Sequence, residues 1–192
     1  MEEIQVEQSD EIVIARARRG DRDAFRMLVE RHARPVFRLA FRMTGNETDA
    51  DDVVQETFLR AWKQMGKFDG RASFATWLHR ICANCSLDHI RARRRRQNAF
   101  GDAADPMAQV AAESPSPERL AVSSEIAAML LPALGQLSEI ERAAFILRHY
   151  TGMAIDDISA ALGVQPGAAR HSVFRAVRKL RRALEPVMGA TR

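Results

Sequence analysis

Apolar residues recur at intervals of three and four along nearly the whole chain, and no stretch alternates apolar with polar residues for long enough to make a strand. Such a chain has only helices to pack, so the expected fold class is all-α. The rhythm fails in one long stretch. From Gln97 to Pro117 the sequence QNAFGDAADPMAQVAAESPSP loses its periodicity and gains Pro, Ala, Ser and Asp, the composition of a flexible linker. The 192 residues therefore divide into two small helical domains, 11–96 and 118–186, joined by 97–117, each able to bury a modest core.

Local signals punctuate each domain. Asp21, after Gly20, is placed to cap a helix carrying Phe25, Leu28, Val29, Val36, Phe37 and Ala40, which Pro35 is expected to bend. Gly45 and Asn46 stop it. The next helix spans 48–65 and ends at Gly66, and another starts near Ser73 and runs into an arginine cluster. Beyond the linker, Ser116-Pro117-Glu118 has the form of an N-cap followed by Pro at the first helical position. SEIE at 138–141 fits a capping box, with Ser138 and Glu141 each satisfying the other's free backbone N–H. From Met153 to Leu184 the build is that of a helix-turn-helix. Ile155, Ile158, Ala161 and Leu162 give the apolar side of a short helix, Gly163 the left-handed turn, and Pro166 the start of a longer recognition helix.

Composition narrows the functional classes. At 46% apolar and 28% charged residues the chain is globular, and no run approaches the ~18 apolar residues of a membrane-spanning helix. The N-terminal MEEIQVEQSDE is acidic and lacks the basic start and apolar run of a secretory signal, so the expected location is the cytoplasm, without membrane insertion. Net charge is +4, but its distribution says more: acid gathers at the N-terminus and in ETDADDVVQE (47–56), base in RARRRR (91–96) and RKLRR (178–182). Separated charges imply different partners for different surfaces. For the basic ones the expected partner is nucleic acid, held by Coulomb attraction and counterion release.

Winding the helices at ~100° per residue assigns their faces. On the recognition helix Ala169, Val173, Phe174, Ala176, Val177, Leu180 and Leu184 form an apolar stripe. Opposite lie Ala168, His171, Ser172, Arg175, Arg178, Lys179 and Arg182, with His171, Ser172 and Arg175 expected to face base edges and the later cations phosphate. On the helix at 48–65, Val53, Val54, Thr57, Phe58, Ala61, Trp62 and Met65 form a core side that includes Trp62. Its other side carries Asp49, Asp52, Gln55, Glu56, Arg60 and Lys63 around Leu59, an apolar anchor with a charged rim that suits a protein partner. On the helix from Ser73, Phe74, Leu78, Ile81, Cys82 and Cys85 share one side, Thr76, Arg80, Asn84, Leu87, Arg91 and Arg94 the other, and Trp77 the border. Ring faces beside Arg and Asn suit single-stranded nucleic acid, because stacking a base on an aromatic ring contributes ~1–3 kcal/mol whatever the base.

His79, Cys82, Cys85 and His89 have the look of a metal site, yet on one helix their ends stand ~15 Å apart and cannot close a tetrahedral shell. The cysteines read as small core residues. With no Gly-rich phosphate loop, clustered catalytic carboxylates or nucleophile elbow, neither enzyme chemistry nor a cofactor is expected. The residue pattern alone is compatible with a conventional helix-turn-helix regulator that binds duplex DNA without polymerase.

A family resemblance favours another reading. DADDVVQETFLRAW (49–62) and FDGRASFATWLHRICANCSLDHIR (68–91), followed by a linker and a helix-turn-helix, resemble the bacterial sigma factors of the extracytoplasmic-function (ECF) type, in the sigma-70 family, over about 11–95 and 118–184. The resemblance implies a dissociable subunit of core RNA polymerase that selects promoters and promotes their melting, restrained by an anti-sigma factor. It implies polymerase binding through Asp49, Asp52, Gln55, Glu56 and Leu59, and capture of a flipped, single-stranded minus-ten base by the loop from Phe68 to Ser73 with Asn84. Asp69, Arg71, Trp77, Arg80 and Arg91 complete the implied minus-ten set; Ala168, Arg170, His171, Ser172, Arg175, Arg178 and Lys179 form that for the duplex minus-35 element. Where many members carry Thr, this chain has Ala168, and Ser172 and Val177 stand in place of frequent arginines.

Overall fold

A computed structural model describes residues 2–100 and 132–189, with side chains at 10–96 and 132–185. Of the linker expected at 97–117, residues 97–100 are helical, and the remainder, with the Ser116-Pro117-Glu118 cap, lies outside the described residues. Four helices form the N-terminal lobe: α1 (Glu2–Arg18), α2 (Arg22–Thr44), α3 (Glu47–Gln64) and α4 (Phe74–Phe100), with a 3₁₀ turn at Met65–Lys67. Among the described residues the C-terminal lobe holds a helical stretch at 132–135, then α5 (Glu139–His149), α6 (Ile155–Leu162) and α7 (Pro166–Gly189).

Each boundary has a chemical cause. The Asp21 carboxylate accepts from the backbone N–H of Asp23 and Ala24, starting α2, which continues through Pro35. Gly45 ends it in the left-handed region at φ 73°, its N–H donating to Phe41. Asn46 caps α3 through Asp49 N–H, and Ser73 Oγ accepts from Thr76 N–H at the head of α4. In the second lobe the capping box forms in full: Glu141 N–H donates to Ser138 Oγ and Ser138 N–H to Glu141 Oε2. Ser138→Ala removes one of those acceptors, so urea unfolding of the full chain is expected to show a loss of about 1 kcal/mol.

α2 lies at the centre of its lobe, packed against α1, α3 and α4, and α7 packs against α5 and α6. Leu28, Val36, Leu39, Phe41, Met43, Val53 and Leu78 fill the first core, Ile146, Leu147 and Ile158 the second, and the two cores run together into one buried cluster. The lobes touch: α4 packs against α5 and α6, and α2 against α5. α1 is scarcely amphipathic; it is held by Val13 and Ala17 in the core and by Asp10, which pairs with Arg31 and His32 of α2.

Three facings differ from the helical wheels. Trp62 is half-buried rather than core, its ring 5.0 Å from that of Phe25. Leu87, assigned to the polar side of α4, is only 2% exposed because the second lobe packs on that helix. Phe174, assigned to the apolar stripe of the recognition helix, is 65% exposed. On α7 the buried side chains are Ala169, Ser172, Ala176 and Leu180, so its first turns meet α5 and α6 through small side chains.

Candidate functional site

Leu59 stands 55% exposed on the outer face of α3, with Asp52, Gln55 and Glu56 exposed around it. Between α2 and α3 an open groove of about 500 Å³ is lined by Arg22, Phe25, Gln55, Phe58, Leu59 and Trp62. An apolar floor with a charged rim can take an apolar side chain from another protein. The groove wall explains why Trp62 is not sealed in the core. Asp49 is set apart from this face. It is half-buried, and its carboxylate meets His89 at 3.0 Å and also Arg93, both from α4. A carboxylate committed in this way joins the two helices and has little left for a partner.

Arg60 makes a second tie between the same helices. Its guanidinium donates to Glu56 at 2.6 Å and to Asp88 of α4 at 3.0 Å, and these bonds hold its pKa above the ordinary arginine value.

The rings after the 3₁₀ turn form one cluster, with centroids 5.7 Å apart for Phe68–Phe74, 5.1 Å for Phe68–Trp77 and 5.5 Å for Phe74–Trp77. Phe68, at 6% exposure, and Phe74 are core, so Phe68 has no face free for a base and Trp77 alone of the three is half-open. The loop around them leaves Asp69 and Arg71 exposed and paired at 3.1 Å, Gly70 at φ 76° supplying the turn. Farther along α4, Arg80 pairs with Asp157 of α6, Asn84 is half-buried and Arg91 is exposed. Cys82 lies in the core, its Sγ donating to the Val36 carbonyl, and burial pushes its thiol up to about 12. Burial likewise raises Cys85, so neither thiol is poised to react.

In the second lobe, Gly163 at φ 64° turns α6 toward α7, and its N–H donates to Ser159. Arg170, His171, Phe174, Arg178 and Arg181 line the outer face of α7, where Ala168 is also exposed. Ser172 is turned inward, 3% exposed, its hydroxyl donating to the Ala168 carbonyl at 2.9 Å, so it cannot reach a base edge. Arg175 and Lys179, exposed at the flank, lean back to Glu141 at 3.4 and 2.7 Å. Burial pushes the Glu141 carboxyl up, but bonds from Lys179 and Ser138 outweigh it and hold the pKa below the usual range. The exposed face of α7 is thus rotated toward Arg170 and Phe174, and Phe174 is the exposed residue the wheel missed. The signal was the run of small residues at 169, 172 and 176, which marks a helix side in close contact.

An exposed basic recognition helix behind a left-handed glycine turn defines a helix-turn-helix DNA-binding protein, here joined to a helical lobe with an open groove between α2 and α3. Residues 28–96 match the sigma-70 region 2 family and residues 127–180 the sigma-70 region 4 family. The chain is 32% identical to the RNA polymerase sigma-H factor of Pseudomonas aeruginosa, covering 95% of this chain and 97% of that protein. It is 39% identical to the ECF RNA polymerase sigma factor SigE of Mycolicibacterium smegmatis, over 80% of this chain and 59% of that one. The solved structure of the sigma factor RpoE in complex with the anti-sigma factor NepR, from Bartonella quintana, superposes with a TM-score of 0.69 at 25% identity, covering 84% of this chain and 96% of that one. The chain belongs to the sigma-70 family of RNA polymerase sigma factors, in its ECF group. As such it binds core RNA polymerase and directs it to promoters. Among the described residues no helix is long and apolar enough to cross a membrane.

Proposed function

We propose that the chain works as two lobes with separate tasks: 11–96 grips polymerase and opens the minus-ten element, 118–186 docks on the minus-35 duplex, and 97–117 spans between them. The polymerase contact centres on Leu59 and the groove beside it, with Asp52, Gln55 and Glu56 as its rim; the exposure of an apolar side chain among carboxylates is the observation that carries this reading. Strand capture falls to Asp69, Arg71, Trp77, Arg80, Asn84 and Arg91. Base and phosphate contacts at minus-35 fall to Arg170, His171, Phe174 and Arg178, Phe174 being of the right character for a thymine methyl.

The protein makes and breaks no bond itself. Extruding a base costs a few kcal/mol, offset by capture in the loop between Phe68 and Ser73, while polymerase supplies the chemistry. It works in the cytoplasm. An anti-sigma factor restrains it, a reading supported by the Bartonella quintana complex. Run-off transcription tests the whole scheme. Core polymerase with this chain should yield a start-specific product from promoter DNA that core alone ignores, and absence of that product would refute the assignment.

A further inference from the structure

The cations of α7 divide into two sets. Arg170, Arg178, Arg181 and Arg182 are exposed along its outer side, and among the described residues only Arg175 and Lys179 of this helix pair with a carboxylate. Their shared partner is Glu141 of α5, whose Oε2 accepts from Lys179 Nζ at 2.7 Å while its Oε1 lies 3.4 Å from Arg175 Nε. At ~100° per residue Lys179 winds to within ~20° of the buried Ser172, and Arg175 follows ~40° farther out. Both stand on the edge of the exposed arc that borders α5, whereas His171, Phe174 and Arg178 occupy its middle.

The two ends of this contact differ in freedom. The Glu141 side chain is 6% exposed and is pinned a second time, its Oε2 accepting from Ser138 N–H at 3.0 Å in the capping box. It lies in the first turn of α5, where the helix dipole favours a negative charge. Arg175 and Lys179 are 55% and 45% exposed and ride on long flexible stems. The carboxylate is the fixed post, and the cations come to it. For either to reach a phosphate it must leave Glu141, and release of both would strand a buried charge. A cation already neutralised within the protein also sheds little on meeting DNA, so it adds little to the sequence-independent attraction that phosphates supply.

We propose that Glu141 is a positioning residue for DNA binding: it holds Arg175 and Lys179 at the edge of the recognition helix, withholds them from backbone phosphate, and so limits attachment of that helix to DNA of any sequence. The inference rests on the reading of α7 as the minus-35 helix and adds to it a buried residue of another helix that touches no DNA itself. Nonspecific binding is almost wholly electrostatic, so withholding two cations acts first on non-promoter DNA.

The test is a salt dependence. Glu141→Gln removes the charge and keeps the capping box, which Gln closes as Glu does. Holoenzyme reconstituted from core polymerase and the full chain is titrated, by fluorescence anisotropy, against a duplex of scrambled sequence over a range of KCl. The slope of log K against log salt should steepen by about 1 to 2 for Glu141→Gln, since each cation that gains a phosphate adds about 0.9, and affinity at low salt should rise roughly tenfold. Lys179→Gln should make the slope shallower by about 0.9 in the Glu141→Gln background and by much less in the parent. A purely structural role for Glu141 would lower the folded fraction, read by urea unfolding of the same preparations, and leave the slope where it was. An unchanged or shallower slope for Glu141→Gln, or an equal Lys179→Gln effect in both backgrounds, would overturn the proposal. Run-off transcription by the parent holoenzyme reports separately on the sigma-factor reading, so either conclusion can fail without the other.

Discussion

Replacing Leu59 with Asp is expected to weaken binding to core RNA polymerase by roughly thirtyfold or more, the loss typical of a central interface anchor. The side chain is 55% exposed and lines a groove with Phe25, Phe58 and Trp62, so it spends little of its surface on its own fold. A carboxylate there would be driven against that apolar wall and placed beside Asp52, Gln55 and Glu56, adding like charge to an acidic rim. Stability should change little, because substitutions at exposed positions usually fall within about 0.5 kcal/mol. Co-sedimentation or fluorescence anisotropy with core enzyme reads the affinity, and urea unfolding of the same preparation reads the stability. An unchanged affinity would remove α3 from the polymerase contact.

The second large effect is on stability against pH. His79 is largely enclosed near His32 of α2, and burial, helped by that second imidazole, pushes its pKa down to about 4. An unfolded histidine titrates near 6.5. Between these values the unfolded chain holds a proton that the folded one refuses, so stability is full above about pH 6.5 and falls as the pH drops toward 4. Going from pH 7 to 4.5 should cost roughly 2 to 3 kcal/mol from this group alone. His79→Gln cannot take up that proton, so its stability should vary less with pH over the interval. Urea midpoints for both proteins at the two pH values decide it, and parallel curves would show that His79 is not held neutral. Glu141 adds a second loss in the same direction at lower pH: its folded pKa is depressed, so its contribution is present above the usual carboxylate range and disappears as the pH falls through it.

Much of this molecule was readable before any coordinates, and the parts that were not share a cause. Caps are local chemistry, so Asp21, Gly45, Ser138 with Glu141, and Gly163 could be placed from neighbouring residues alone. Exposed faces on the first lobe followed from periodicity, because α2 and α3 each bury a single stripe. Reading failed where a second body arrives. Leu87 was placed on the wrong side because nothing in α4 announces that α5 and α6 pack against it. Phe174 falls in the apolar stripe by winding, whereas α7 turns Ala169, Ser172, Ala176 and Leu180 inward and leaves the ring exposed. Asp49 looked like part of an acidic docking face until His89 and Arg93, forty and more residues later, were found at its carboxylate. The gathered rings divide likewise: Phe68 and Phe74 form a floor, and only Trp77 keeps an open edge.

The double tie between α3 and α4, Asp49 to His89 and Arg93 at one point and Arg60 to Asp88 at another, has a consequence for protein engineering. Recombining these factors by grafting one helix at a time would strand a carboxylate or guanidinium at each severed tie. The practical unit of exchange is the pair. A chimaera that transplants both helices keeps the ties and, on the proposed division of tasks, transfers docking preference and base preference together.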